Sequence, residues 1–428
     1  MLVAQRLATT GMTRRSSTRL SMSLLIALCT AGASASNVAV DPGTAAIAFL
    51  EEKVAADPDD VIALNALTDR YLERLRLGGD DRDLTLAEQR AAQSLHALPA
   101  ELNVAGLAGE ARVDHAGHRF ERARGAARRL VALAPIRSYP YFILGDAEFE
   151  LGHYAAAAAA YAQARRIDGT TVETAARAAR LALIRGQTEA ARRHLGNALS
   201  IAQQMSLPEP TLLAWCRVQL GQFWFGRGEW RKAETQYRAA LSVQPDSLVA
   251  LEHLAELRGA QASYGAATGL FRQVIARSPR PEFRQALGDL YAFMGKPGKA
   301  ARWHDEAAAG YMASVHNGHV HYLHHLAGFF ADSRPDSVKA LHWAQQDLQL
   351  RQGLYALDGL AWAQYQAHRF AAARRTIDQA LATGTDDAHV LYHASMIHSL
   401  AGDVAGGAAL LRRTVKANPR YNTFHVHR

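Results

Sequence analysis

The sequence predicts an all-α solenoid of stacked helix pairs. Two observations carry this. A glycine–aromatic–alanine phrase returns about every 34 residues, and strand-favouring Val and Ile are sparse beside Ala, Leu, Arg and Gln. Gly152, Tyr154 and Ala157 make one copy of the phrase; Gly228, Trp230 and Ala233 make another. The glycine position recurs at Gly186, Ala262, Gly295, His368 and Gly402. A chain of 428 residues would otherwise divide into several domains. A stacked repeat escapes that limit, because each unit packs only on its neighbours and the core grows along one axis.

Residues 1–35 are a different kind of sequence. Arg14, Arg15 and Arg19 precede an apolar stretch, Leu20 to Ala33, which ends in the small residues Ala33, Ser34 and Ala35. This is the layout of a secretory signal peptide cleaved near Ala35, and it places the mature chain in the periplasm or outside the cell. The apolar stretch is shorter than the roughly 20 residues a membrane-spanning helix needs, so the membrane enters only through export. Leu28 before Cys29 argues against a lipoprotein signal, and Ser16, Ser17 and Thr18 after the arginine pair argue against twin-arginine export. The leader holds four arginines and no acid, so its removal takes the formal charge from +8 to about +4. That balance is weak support for a nucleic-acid partner, and none is expected. The mature chain keeps one cysteine, Cys216, which excludes an intramolecular disulfide.

The mature chain divides into a linker and capping helix at 36–60, a first array at 61–203, a linker insertion at 204–213, a second array at 214–420 and a tail at 421–428. The insertion reads as a lengthened helix and loop more readily than as a hinge. Within a unit, the first helix carries large apolar residues and a small one, such as Gly145, Gly221 or Gly288, that lets the second helix approach. The turn carries glycine where a left-handed backbone costs least. The second helix opens with an aromatic residue and continues small then large, as in Ala157/Tyr161 and Ala233/Tyr237. Proline follows its end at Pro135, Pro245, Pro279 and Pro419.

In these residues and their spacing the chain resembles the tetratricopeptide repeat family. "YFILGDAEFELGHYAAAAAAYAQARRID" and "VQLGQFWFGRGEWRKAETQYRAALSVQP" are similar to its pattern, and the resemblance extends over about 61–420. It implies a right-handed α-solenoid of about ten helix-turn-helix units, and a scaffold that binds protein or peptide partners in a concave groove lined by the first helices. With Leu323, Leu357 and Leu391 as the inward anchors, the resemblance sends to the groove His321, His324 and Gly328, then Tyr355, Asp358 and Trp362, then His389, Tyr392 and Met396. Tyr139, Phe142 and Asp146, with Trp215, Val218 and Gln222, are the matching positions of earlier units.

The chemistry of an enzyme is not legible. No phosphate-cradling glycine loop, GxSxG elbow, HExxH or CxxC occurs, so no catalysis and no cofactor are expected. The sharpest anomaly is a histidine cluster at His316, His319, His321, His324 and His325. On one helix, His321, His324 and His325 would share a face. The alternative to a protein scaffold is therefore a solenoid that binds metal or a small ligand through residues 316–325, with His342, Asp358 or His389 as further donors. His425 and His427 lie in a tail expected to be mobile, while Tyr421 and Phe424 are expected to fold back on the otherwise uncapped apolar end of the last unit.

Overall fold

The computed structural model describes residues 42–426. The export leader read at 1–35 lies outside them. Residues 42 onward form one compact unit. A lone helix, α1 (Pro42–Ala56), precedes ten hairpins. These are α2 (Val61–Leu77) with α3 (Asp81–Ala97), α4 (Val104–Ala116) with α5 (Phe120–Leu133), α6 (Tyr139–Glu150) with α7 (Tyr154–Asp168), and α8 (Val172–Ile184) with α9 (Thr188–Gln204). They continue as α10 (Pro210–Gly226) with α11 (Trp230–Val243), α12 (Leu248–Ala260) with α13 (Tyr264–Arg277), and α14 (Pro281–Phe293) with α15 (Pro297–His316). The last three are α16 (Leu323–Gly328) with α17 (Ser337–Leu350), α18 (Leu354–Gln366) with α19 (Phe370–Leu381), and α20 (Ala388–Leu400) with α21 (Val404–Ala417). α16 runs into a π-helical turn, Phe329–Ser333. No described residue lies in a strand. No described helix is long and apolar enough to cross a membrane.

Three of the hairpins close by seating a large second-helix side chain over a first-helix glycine. A Cβ on Gly145 would stand 2.3 Å from Tyr161, one on Gly221 2.3 Å from Tyr237, and one on Gly288 2.3 Å from His304. Any larger first-helix residue would separate the two helices. Tyr237 is fully buried there, and truncating so large a core side chain costs about 3–5 kcal/mol. Between the helices the chain reverses through a left-handed residue, with φ of 79° at Gly152 and 71° at Gly228. Ala262 and His368 hold the same backbone at 58° and 56° without being glycine, and so does His118 at 57°. The residues around the 204–213 insertion pack continuously: Val172, Leu195, Ala202, Cys216 and Leu220, from α8, α9 and α10, share one buried cluster. Burial there pushes the Cys216 thiol up to about 11.

The superhelix is wound so tightly that one turn rests on the next. Ser278 Oγ donates to the Gly78 carbonyl at 2.8 Å, and Leu354 N–H donates to the Tyr154 hydroxyl at 2.7 Å; each pair is 200 residues apart. Further along, Arg227 pairs with Asp386 at 3.2 Å, and Arg420 donates to the Gly228 carbonyl while lying 4.4 Å from the Trp230 ring centre. At about 34 residues per unit, roughly six units complete a turn. The left-handed turns form this seam. A Cβ on Gly152 would meet the Gln352 carbonyl oxygen at 2.6 Å, and one on Gly186 would meet the Gly384 carbonyl oxygen at 2.3 Å.

The tail folds back instead of projecting. Phe424 is buried beside Gly259 and faces Phe293 at 5.7 Å. His425 Nδ1 lies 3.0 Å from Glu256, and the Val426 N–H donates to the same carboxylate at 2.8 Å. The mobility expected of the tail therefore does not extend to these residues, which have apolar and ionic partners in α12 and α14.

Candidate functional site

Closure of the turns converts an open groove into a central cavity of about 830 Å³. Its walls come from the first helices α6, α8, α10, α12, α14, α16, α18 and α20, joined by the folded-back tail. First helices dominate because the second helices lie on the outside of the superhelix; among them only Leu195 of α9 reaches the lining.

Of the nine groove residues expected from the sequence, seven line this cavity: His324, Gly328, Tyr355, Asp358, Trp362, His389 and Tyr392. Met396 is part-buried outside the lining. His321 faces away, into a smaller pocket at the seam, where it contacts Asp81 at 3.1 Å. The helix face expected to unite His321, His324 and His325 does not form. α16 begins at Leu323 and leaves His321 in the preceding turn. His324 turns toward Asp347 at 3.5 Å, and His325 stacks on Tyr311 with centroids 6.0 Å apart. Of the earlier-unit positions, Asp146, Trp215 and Gln222 reach the cavity wall, whereas Tyr139, Phe142 and Val218 do not.

The wall has two electrostatic characters. On the α6–α8 side the charges are neutralised in pairs. Arg177 grips Asp146 with Nε at 3.0 Å from Oδ1 and Nη2 at 2.6 Å from Oδ2, and Arg180 meets Glu150 at 2.7 Å. Burial alone would raise the Asp146 carboxyl, but the Arg177 guanidinium holds it below its ordinary value. On the α18–α20 side the basic groups are imidazoles. His393 stacks flat on Trp362 with centroids 3.9 Å apart, and the Trp362 indole N–H donates to Asp332 at 2.9 Å. The Asp358 carboxylate lies 3.1 Å from His393 Nδ1 and 3.6 Å from His389 Nε2. Behind the α12 wall, burial raises the Glu252 carboxyl to about 7. Over the whole lining, five carboxylates stand against three guanidiniums and six histidines. An aromatic and amide surface lies between them: Trp215, Tyr355, Trp362 and Tyr392, with Gln219, Gln222 and Asn422.

Sequence reasoning missed His393, Arg177 and Arg180, and it did not bring the tail residues Asn422 and His425 to the cavity. His393 left a usable signal, since His389 and His393 stand four apart on one helix. The expected fold-back onto the last unit holds for Tyr421, which lies 5.5 Å from Tyr392, whereas Phe424 packs on α12 and α14, and nothing local ties it or His425 to helices more than 100 residues earlier.

The class that fold and cavity define is an α-solenoid of tetratricopeptide-type hairpins. No family model matches the sequence, and no curated protein matches it. Among solved structures the chain is similar to the human IFIT1 dimer with PPP-AAAA, at 14% identity over 89% of this chain and 96% of that one, with a TM-score of 0.43. It is similar to a tetratricopeptide repeat protein from Parabacteroides merdae, at 16% identity over 58% of this chain and 93% of that one, with a TM-score of 0.40. It is also similar to the Rap conjugation gene regulator of plasmid pLS20 in complex with the Phr* peptide, at 15% identity over 83% of this chain and 93% of that one, with a TM-score of 0.44.

Proposed function

We propose that this chain is an exported binding protein, not a catalyst, and that it holds a short peptide segment of a partner in its central cavity. The observation that carries the reading is the convergence of aromatic and amide side chains from successive first helices on one enclosed space. A volume of about 830 Å³ falls within the roughly 300–1,000 Å³ of pockets that engulf small ligands. It admits a few residues of extended chain and excludes a folded domain. Rigid aromatics bury much area at low entropic cost. The amides of Gln219, Gln222 and Asn422 offer both donors and acceptors, as a peptide backbone does. The excess of carboxylates over guanidiniums opposes a phosphate backbone and favours a peptide with a cationic group.

The test is equilibrium retention of a positional-scanning pentapeptide library by the wild-type protein and by a Trp362→Ala, Tyr392→Ala double variant. Selective retention of lysine- or arginine-containing pools by the wild type alone supports the reading. Equal retention by both proteins, or retention of no pool, overturns it. Export rests on the arginine-led apolar stretch of residues 1–35. Mass analysis of protein from the cell envelope should give a chain beginning at Ser36. An unprocessed chain in the cytoplasm would overturn that part alone.

A further inference from the structure

We propose that Asp358, His389 and His393 form a binding site for a zinc-like divalent transition metal on the cavity wall, with one coordination position left facing the cavity. The three residues come from two successive first helices: Asp358 from α18, and His389 and His393 from α20. One donor atom from each lies within 4.8 Å of the others, the only such group of three among the described residues. The two histidines are spaced i, i+4, which places both imidazoles on one face of α20, the spacing by which helices present paired histidines to zinc.

Three features of the cluster favour an ion over a plain set of hydrogen bonds. The first is geometric. Zinc bonds to nitrogen and oxygen of about 2.0–2.2 Å in a tetrahedral shell place neighbouring donors about 3.3 Å apart. The observed separations of 3.1 Å between Asp358 and His393 and 3.6 Å between Asp358 and His389 bracket that value. The second concerns charge. Asp358 is 4% exposed, and a buried carboxylate needs a compensating positive group. Asp146, Glu150 and Asp347 nearby each meet a guanidinium. The ionic partners of Asp358 among the described residues are imidazoles, which supply full charge only when protonated. A divalent ion would supply it with both imidazoles neutral, the form in which they ligate. The third is preorganisation. Stacking of His393 on Trp362 with the planes 6° apart fixes the ring orientation, and the Trp362–Asp332 hydrogen bond holds that indole in turn.

Three protein ligands on a cavity wall leave the fourth tetrahedral position toward the cavity, as in zinc sites that bind a water or an exchangeable group. The donor set of two imidazoles and one carboxylate suits zinc, cobalt or nickel better than calcium or magnesium.

The test uses untagged full-length protein. It is dialysed against zinc-buffered solution at micromolar free Zn²⁺ and analysed for bound metal, and in parallel it is titrated with Co²⁺ while visible absorption is recorded. The expected result is one zinc per chain and a tetrahedral Co²⁺ spectrum. His389→Ala should weaken zinc binding by at least about 100-fold, the top of the range for losing a group that only supports a ligand, with Asp358→Asn behaving alike. His389 is only part-buried, so its truncation preserves the fold, and thermal melting checks this. His321→Ala with His324→Ala should leave the stoichiometry unchanged. No zinc retained at micromolar concentration, or zinc retained equally by folded His389→Ala and Asp358→Asn, overturns the assignment. Zinc lost only in the His321→Ala, His324→Ala variant overturns it as well.

Discussion

Two histidine-rich regions of this chain lead opposite structural lives. The dense run at 316–325 is the obvious one in the sequence, yet much of it serves the joint between superhelical turns. There His321 meets Asp81 at 3.1 Å, and His319 lies 3.4 Å from the Thr85 hydroxyl. Asp358, His389 and His393 are strung over 35 residues and converge on the cavity wall. In a stacked array, residues one unit apart on equivalent helices are neighbours, whereas residues a few positions apart can face opposite ways. Histidine density along the chain is therefore a poor guide to clustering in space. Spacing by one repeat is a better one.

Joint and wall should respond differently to substitution. The largest expected effect is at the joint. Gly152→Val adds both a strained left-handed residue and a clash with the Gln352 carbonyl, for a loss of about 3 kcal/mol or more in urea unfolding. Gly295 occupies the same turn position with φ 68° and nothing within 4 Å of a Cβ. Gly295→Val should cost only the strain, about 1–2 kcal/mol. Equal losses at the two sites would mean that the seam contributes nothing.

The wall shows the converse. Trp362→Ala with Tyr392→Ala should lower affinity for a retained pentapeptide by about 30-fold, some 2 kcal/mol, as read by fluorescence anisotropy. The melting temperature should shift much less than for Gly152→Val.

Glu252, buried behind the wall, adds a pH signature. Its folded value of about 7 lies above its ordinary 4.5, so the folded chain holds a proton there that the unfolded chain releases. Its contribution to stability is complete below about pH 4.5 and is lost as pH rises toward 7. Unfolding measured across that window should show wild type losing on the order of 2 kcal/mol relative to Glu252→Gln. Parallel curves would refute the assignment.

At the joint again, burial pushes the Asp81 carboxyl up, but hydrogen bonding to His321 brings it below its ordinary value. His321→Ala should cost about 1–2 kcal/mol at neutral pH by stranding that carboxylate, with peptide retention unchanged. The smallest effect is a gain. Ala262→Gly relieves a left-handed alanine at φ 58° and should stabilise the chain by about 0.5 kcal/mol.

Most of the fold was legible because its rules are local. Gly145, Gly221 and Gly288 announce where a second helix approaches, and Gly152 or Gly228 announces where the chain reverses. Even Ala262 and His368, which break the glycine rule, sit at the predicted positions with the predicted backbone. The first-helix positions that reach the cavity followed from the same register. The closure did not follow. It depends on small rotations summed over about six units, and no residue reports its share of that sum. Arg177 and Arg180 were accordingly read past, and His321 was misplaced because α16 begins three residues later than the repeat implied.

Repeat proteins ordinarily grow and shrink by whole units, since an added unit needs only compatible neighbours. The seam removes that freedom from the interior of this chain. Deleting one unit between Gly228 and Leu354 would bring the loop at 384 under Gly152 in place of the loop at 352. It would separate Arg227 from Asp386 and Arg420 from Gly228 in the same stroke. The number of units per turn is thus written into pairs of side chains two hundred positions apart, and the array keeps count of itself like a thread cut to one pitch.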